Sequence, residues 1–309
     1  MSVNNENRSN WAIDIEESVT HYNRWFVDYA PSTFRDIKSK VFGNVAKALE
    51  GLNGKIDLDD DILIDHPTLL LILRQMTCPP LARDRLAGLA RIPPQAVKGF
   101  ENGTIKRDGQ VEYSPRIMEV IRDLLDFDLF PWIDSGSAPT SEQKERAAAI
   151  IVDRLCITLT DAEIRNEQER RQLLAIVQFL KGKGYVEAKP RTYGDLQPGE
   201  YAIHLNIPVY QGEKRVNIPG DVLILPRTAS PGSLPIIVEA KSAGDFTNVN
   251  KRRKEEATKM QQLKATYGDA RFIMFLGGYF DSGYLDYEAA EGIDWVWEHR
   301  VPDMEKLGL

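Results

Sequence analysis

The sequence predicts an α/β protein with a helical N-terminal region and a C-terminal core in which helices flank a mixed central sheet. Two observations predict this class. The first half of the chain repeats apolar residues at helical spacing, as in residues 34–49. The second half places short β-branched runs between helical segments, in the order helix, three strands, helix, two strands. That order is typical of a mixed sheet covered by helices.

The composition limits the class of protein. The chain has 309 residues, of which 42% are hydrophobic, so it can bury a large core, and its length predicts two domains. No apolar run approaches the roughly 20 residues that a membrane span needs. The N-terminal residues MSVNNENRSN contain no signal-peptide core. Cys78 and Cys156 lie far apart in the sequence, which fits a reducing compartment. We therefore expect a cytoplasmic protein that does not contact a membrane.

The charge is uneven along the chain. The net charge of −7 argues mildly against a general nucleic-acid coat protein. Residues 247–271 nevertheless carry seven bases and three acids. The negative net charge therefore does not exclude a DNA enzyme, because the charge of the segment that contacts DNA matters more than the net charge of the chain.

The N-terminal 70 residues predict helices. One helix leads in from residue 11, and a second is expected after Pro31. The acidic run at Asp57, Asp59, Asp60 and Asp61 lacks the spacing and closing glutamate of an EF-hand. We interpret it as a solvated entry to the next helix.

Residues 81–103 have the outline of a helix-turn-helix. A short helix over 81–90 is followed by a Pro-Pro turn and a second short helix over 95–100. Gln95 and Lys98 would lie on the recognition face, but an ordinary helical hairpin has the same pattern. The loop over 103–109 presents Lys106 and Arg107 to a phosphate backbone. All four are candidate DNA-binding residues.

Residues 135–143 form a small polar linker, so we predict a helical domain over 1–135 and a second domain over 142–309. Two helices then follow, over 142–159 and 165–185. Glu169 falls within the apolar stripe of the second helix. A carboxylate on an inward face needs a metal or a basic partner. Alternatively, Glu169 lies in an exposed first turn, where the helix dipole favours it.

Three charged residues border two adjacent strands in the second domain. The strands are expected over 222–225 and 236–238, joined by a segment rich in Pro, Ser and Gly. Asp221 begins the first strand, and Glu239 and Lys241 end the second. Residues two apart on a strand share a face. If the two strands pair, Asp221, Glu239 and Lys241 converge at the edge of the sheet.

Such a cluster has a defined chemistry. Two nearby carboxylates repel each other unless a cation lies between them, and oxygen ligands suit Mg²⁺ or Mn²⁺. A nearby lysine can position water or offset the charge of a phosphate. The alternative is an exposed acid and a surface ion pair at two strand ends.

Asp, then Glu-x-Lys on a neighbouring strand, resembles the metal site of the PD-(D/E)xK nucleases. The departure here is a split Pro-Asp pair, in which Gly220 separates Pro219 from Asp221. Over roughly residues 70–300 the chain is also similar to the XamI-type Type II restriction endonucleases. The residues that carry this resemblance are Cys78-Pro79-Pro80, Phe130-Pro131-Trp132, Arg165-Asn166-Glu167-Gln168-Glu169, Gly220-Asp221, Glu239-Ala240-Lys241-Ser242 and Thr247-Asn248-Val249-Asn250-Lys251-Arg252.

The resemblance implies a PD-(D/E)xK restriction-endonuclease-like core and Mg²⁺-dependent cleavage of double-stranded DNA at a short sequence, with Mn²⁺ able to substitute. Asp221, Glu239 and the carbonyl of Ala240 would hold the metal, and Lys241 and Glu169 would complete the catalytic set. A palindromic site implies a homodimer, and restriction implies a cognate DNA methyltransferase as a functional partner that is not bound. The candidate DNA contacts after the motif are Asn250, Lys251, Arg252, Arg253 and Lys254.

Two other functions stay open at this stage. A DNA-binding regulator would read DNA through residues 81–103 and would not cut it. A repair or junction-resolving nuclease on the same core would cut by DNA structure rather than by sequence. Metal-dependent cutting into discrete fragments separates the three.

Overall fold

The computed structural model describes residues 3–51, 61–212, 214–246 and 253–309. The chain divides into two compact units, one of Ala30–Glu163 and one of Met1–Tyr29 with Ile164–Leu309. The domains predicted over 1–135 and 142–309 stay a prediction. Asp57, Asp59 and Asp60 of the acidic run lie outside the described residues.

The unit of Ala30–Glu163 is helical, as the sequence predicts for the N-terminal region. Its buried core includes Leu73, Met76, Phe100, Ile121 and Phe130. The helices that this unit contains or shares are α1 (Trp11–Gly51), α2 (Ile62–Asp65), α3 (Leu70–Leu73), α4 (Arg83–Ala90), α5 (Pro94–Glu101), α6 (Arg107–Asp123), α7 (Pro131–Ser135) and α8 (Ser141–Gly182).

Two predicted helix boundaries are wrong. Helix α1 continues through Pro31, where a second helix was expected to begin. A proline removes one backbone donor, and yet helical apolar spacing continues on both sides of it, with Tyr22 and Val41 buried. Helix α8 is likewise one helix where two were expected, because residues 141–181 contain no proline or glycine to end it.

The helix-turn-helix outline corresponds to α4 and α5. Arg91 joins them in the left-handed conformation, with φ of 52°. The loop predicted over 103–109 is shorter than expected, because α6 begins at Arg107. The Arg107 guanidinium donates to the Ile64 carbonyl at 2.7 Å and lies 3.5 Å from the Asp65 carboxylate. These contacts extend the helix into the expected loop.

An ion triad joins α4 and α5, in which Arg74 and Glu101 are buried and the Arg83 side chain is 48% exposed. The Glu101 side chain is 2% exposed and accepts a hydrogen bond from Arg74 Nε at 2.6 Å. Its other carboxylate oxygen accepts from Arg83. The buried Arg74–Glu101 pair is stable only while each charge keeps its partner.

We expect Glu101→Ala to destabilise the protein by about 3–5 kcal/mol, because Arg74 is left buried without its anion. Urea unfolding followed by far-UV circular dichroism measures this loss. The exposed Glu112 on α6 provides the control Glu112→Ala, which should change stability by less than about 0.5 kcal/mol. Equal stability of the two variants would contradict the triad's role.

The other unit is built on a mixed sheet, as predicted, and the sheet has six strands where five were expected. The strands lie in sequence order across the sheet, antiparallel from β2 to β4 and parallel at the remaining pairs. The short β1 and helix α10 were not predicted from the sequence. The elements are β1 (Val186–Glu187), β2 (Glu200–Gln211), β3 (Lys214–Ile224), β4 (Ile236–Ala243), α9 (Arg253–Thr266), β5 (Phe272–Gly278), α10 (Ser282–Ala290) and β6 (Asp294–Trp297).

Both faces of this sheet are covered. Leu223 and Ile237 belong to a core cluster that contains Met260 and Leu263 of α9. Val222 and Val238, on the opposite face, belong to a cluster with Ile176 of α8. The alternation along β3 and β4 therefore directs odd-numbered residues such as 221, 239 and 241 towards the α9 side. Across the described residues, no helix is long and apolar enough to cross a membrane.

Candidate active site

The strands β3 and β4 pair as the sequence predicts, and this brings the three motif residues together. Val222 lies opposite Val238, and Leu223 lies opposite Ile237. Asp221 does not begin its strand, because β3 starts at Lys214 and pairs with β2 along most of its length. Glu239 and Lys241 do not end theirs, because β4 continues to Ala243. The motif therefore lies within the sheet rather than at strand ends.

Asp221 is fixed by the neighbouring strand. Its Oδ2 atom accepts a hydrogen bond from the backbone N–H of Ala240 at 2.8 Å. Burial raises the pKa of Asp221 above its ordinary value, and the carboxylates of Glu239 and Glu169 raise it further. A half-buried carboxylate beside other acids is costly to ionise alone, so it favours a nearby cation.

Glu239 is held by two lysines at one oxygen atom. Its Oε1 atom lies 2.8 Å from Lys241 Nζ and 2.5 Å from Lys259 Nζ. Burial alone would raise the pKa of Glu239, but the two ammonium groups outweigh it and hold the pKa below the ordinary value. The contact with Lys241 confirms that these residues share a face.

Helix α9 adds a further acid that the sequence reasoning missed. The Glu256 side chain is 1% exposed, and its Oε1 atom lies 3.5 Å from Lys241 Nζ. Burial raises the pKa of Glu256, although Lys241 partly offsets the rise. Burial alone would lower the pKa of Lys241, but Glu239, Glu256 and Asp221 raise it instead, so Lys241 is an ammonium.

A signal for Glu256 existed in the sequence. Glu256, Met260 and Leu263 are spaced at i, i+4 and i+7, so the carboxylate shares the apolar face of α9. Seven basic residues lie in the surrounding segment, and so charged a segment is usually a solvated helix face. Lys259, three positions after Glu256, was missed for the same reason.

The motif residues and Glu256 line one open cleft of about 630 Å³. Asp221, Glu239, Ala240 and Lys241 belong to its lining, together with Glu169 of α8. Glu169 is exposed, so it does not lie on an inward helix face as first predicted. It also does not lie in a first turn, as the alternative predicted, because α8 begins at Ser141. Its carboxylate still contributes to the field at Asp221. The four predicted catalytic residues are therefore assembled at one place.

Gln172 ties helix α8 to the strands of this cleft. Its Nε2 atom donates to the Lys241 carbonyl at 3.0 Å and to the Phe275 carbonyl at 3.1 Å. The side chain is buried, so both contacts are shielded from water. The backbone at Lys241 is held from one face of the sheet while its ammonium group is held from the other.

The cleft fits a divalent cation. Glu239 Oε2 and Glu256 Oε2 are buried, and neither accepts a hydrogen bond from any described residue. An oxygen left without a donor in this way is costly, and coordination of a cation removes the cost. The available ligand atoms are all oxygens, which suits Mg²⁺ or Mn²⁺ rather than zinc.

Comparison with known families identifies the class of protein. The sequence model described as XamI restriction endonuclease matches residues 55–297, more than half of the chain. The chain belongs to the XamI restriction endonuclease family. This confirms the resemblance drawn from the motifs and makes the protein a site-specific endonuclease.

Two relatives of this XamI family member are Type II restriction enzymes. It is 41% identical over 314 residues to the Type II restriction enzyme SalI of Streptomyces albus G, with 99% of each chain covered. It is 26% identical over 227 residues to the Type II restriction enzyme XamI of Xanthomonas campestris pv. amaranthicola, covering 73% of this chain and 76% of the relative. Among solved structures, protein VC1899 from Vibrio cholerae matches with 13% identity and a TM-score of 0.30, over 80% of this chain and 55% of that one. A TM-score this low does not establish a shared fold.

The predicted DNA contacts of this XamI family member stay predictions. Gln95, Lys98 and Lys106 are exposed, and so is Arg107 at the start of α6. Lys254 is exposed in the first turn of α9. The other candidates after the motif, Asn250, Lys251, Arg252 and the Arg253 side chain, lie outside the described parts of the structure.

A second group of ligand-type side chains lies away from the cleft. One oxygen or nitrogen atom from each of Asp14, Glu17 and His299 falls within 4.8 Å of the others. The Asp14 carboxylate already receives the Arg300 guanidinium at 2.5 Å. That cationic partner accounts for the buried acid, so we interpret this group as an ion-pair network.

Proposed function

We propose that this protein is a Type II restriction endonuclease that hydrolyses phosphodiester bonds in double-stranded DNA at a specific sequence, with Mg²⁺ as cofactor. The observation that carries the proposal is the convergence of Asp221, Glu239 and Lys241 at one cleft, where the buried Glu239 Oε2 atom has no hydrogen-bond donor among the described residues. The two relatives named as Type II restriction enzymes support it. Asp221, with Glu239-Ala240-Lys241 on the neighbouring strand, would make this a PD-(D/E)xK site.

Asp221 and Glu239 would hold the divalent cation, and the Ala240 carbonyl would complete the protein ligands. When bound, the cation would lower the pKa of a coordinated water and offset charge on the scissile phosphate. Ala240 contributes twice in this scheme, since its N–H already orients the Asp221 carboxylate.

Lys241 is suited to an electrostatic role. Because its pKa is raised, it keeps its proton and donates hydrogen bonds rather than accepting a proton. Its Nζ atom would hold the attacking water or a phosphate oxygen as negative charge develops. Glu169, at the exposed side of the cleft, would add a carboxylate for a second cation or a bound water.

Exposed basic residues would hold the DNA. Lys254 lies in the first turn of the helix that carries Glu256 and Lys259, and that helix begins at Arg253. Asn250, Lys251 and Arg252 precede the helix in the sequence. Gln95, Lys98, Lys106 and Arg107 would contact DNA from the helical unit. If the recognition sequence is palindromic, a homodimer would place one cleft on each strand, and a cognate methyltransferase would protect the host DNA.

Digestion of plasmid and phage DNA tests the proposal. We expect discrete fragments with Mg²⁺ and intact DNA with EDTA, because cleavage needs the cation at Asp221 and Glu239. Sequencing the fragment ends gives the recognition sequence. Retarded but uncut DNA in both reactions would instead favour a DNA-binding regulator, and cutting only at junctions or flaps would favour a structure-specific nuclease.

A further inference from the structure

Four charged side chains alternate in sign around Glu239, and we call them the charge quartet: Glu239, Lys241, Glu256 and Lys259. Strand β4 supplies the first two and helix α9 supplies the last two. Residues two apart on a strand share a face, and so do residues three apart on a helix. The two pairs face each other, because Lys241 contacts Glu256 and Lys259 contacts Glu239. Each pair contains one acid and one base.

The two lysines of the quartet meet the same atom. Lys241 Nζ and Lys259 Nζ lie 2.8 Å and 2.5 Å from Glu239 Oε1. Lys241 also contacts Glu256 at 3.5 Å. Glu239 therefore receives two positive charges, and only Lys241 has a role in the chemistry proposed above.

The charge of Lys259 interacts strongly with the Glu239 carboxylate, because both side chains are largely buried. Its side chain is 25% exposed, and the Glu239 side chain is 6% exposed. Charges so far removed from water are weakly screened, so their interactions exceed those of surface pairs. A divalent cation that binds Glu239 must approach this ammonium group and lose part of its attraction to the carboxylate.

We propose that Lys259 is a resident counter-ion of the site, which competes with the divalent cation for the charge of Glu239 and thereby sets the metal affinity. This inference rests on the proposed function, since it requires a metal at Glu239. Lys259 is a positioning residue in this account, because it acts through Glu239 rather than on the DNA.

The arrangement couples metal binding to DNA binding. A phosphodiester that enters the cleft brings a negative charge, which offsets the repulsion between Lys259 and the cation. Each ligand then strengthens the binding of the other, as reciprocal linkage requires. Without DNA, Lys259 keeps the metal affinity low.

Titration of Mn²⁺ into the full-length protein without DNA tests this role. Isothermal titration calorimetry measures the affinity for Mn²⁺. The Lys259→Met variant should bind Mn²⁺ about tenfold more tightly than the wild type, because one nearby positive charge is removed. Lys259→Arg keeps that charge and should stay within about twofold of the wild type. The matched control Lys264→Met lies on the same helix at an exposed position and should not change the affinity.

A purely structural role for Lys259 predicts the opposite result. Lys259→Met would then melt at a lower temperature without metal and would bind Mn²⁺ equally or less tightly, which would overturn the inference. If Lys259→Met does not fold, Lys259→Gln removes the same charge while keeping a hydrogen-bond donor, and it carries the same expectation.

Cleavage and Mn²⁺ binding by the wild type distinguish failure of the counter-ion role from failure of the proposed function. A wild type that cuts plasmid DNA with Mg²⁺ and binds Mn²⁺, beside a Lys259→Met variant that binds no more tightly, would refute the counter-ion role alone. A wild type that neither binds Mn²⁺ nor cuts DNA would refute the proposed function and the inference together.

Discussion

Asp221→Asn is expected to reduce DNA cleavage at least about 10³-fold while leaving DNA binding intact. A metal ion stabilises charge in the transition state by several kcal/mol, and each 1.36 kcal/mol is tenfold in rate. The asparagine side chain keeps an oxygen that can accept from the Ala240 N–H, so the strand pairing is preserved. Single-turnover cleavage of the cognate site measures the rate, and gel retardation with metal omitted measures binding.

The exposed Asp269 provides the matched control for that variant. Asp269→Asn makes the same change of charge in the same unit and should cut at the wild-type rate. Cleavage by Asp221→Asn within about tenfold of the wild type would exclude Asp221 as a metal ligand.

The second large effect is expected at Lys241. Lys241→Met should lower the single-turnover rate about 10²–10³-fold, which is typical for removal of one preorganised donor to developing charge. Methionine matches the length of the lysine stem, and Glu239 keeps Lys259 as a partner. Glu256 loses its cation, but burial already raises its pKa and favours the neutral form.

Metal affinity distinguishes the two variants. Asp221→Asn loses a ligand and should bind Mn²⁺ more weakly, whereas Lys241→Met loses a positive charge and should bind it at least as tightly. The exposed Lys189 allows the control Lys189→Met, which should match the wild type in rate and in affinity. A Lys241→Met enzyme that cuts at the wild-type rate would remove Lys241 from the mechanism.

The strands of the site could be predicted because their signals are local. The runs over 222–225 and 236–238 are short, apolar and β-branched, and each is bounded by turn residues. Period-two alternation then places Glu239 and Lys241 on one face, whatever the rest of the fold. Where the strands begin was less predictable, because β3 extends back to Lys214 through pairing with β2.

Glu256 and Lys259 could not be predicted with the same ease, because their burial depends on residues distant in sequence. Three anchors, Ala257, Met260 and Leu263, hold α9 against the sheet, and the segment around them is strongly charged. Only the position of Lys241 on β4 gives Glu256 a partner. The course of helix α1 was also difficult to predict. A proline usually ends a helix, but α1 continues through Pro31 because buried residues on both sides of it keep the helical spacing.

The hairpin of β3 and β4 separates the active acids from the turn that joins their strands. The pairing closest to the turn is Ile224 with Ile236, and Asp221 and Glu239 lie three residues further along the strands, roughly 10 Å away. The turn itself presents exposed Ser230, Pro231 and Gly232, and a side chain at Gly232 would meet open space. We therefore expect a fluorophore or an affinity peptide attached at residues 230–232 to leave the two acids in place.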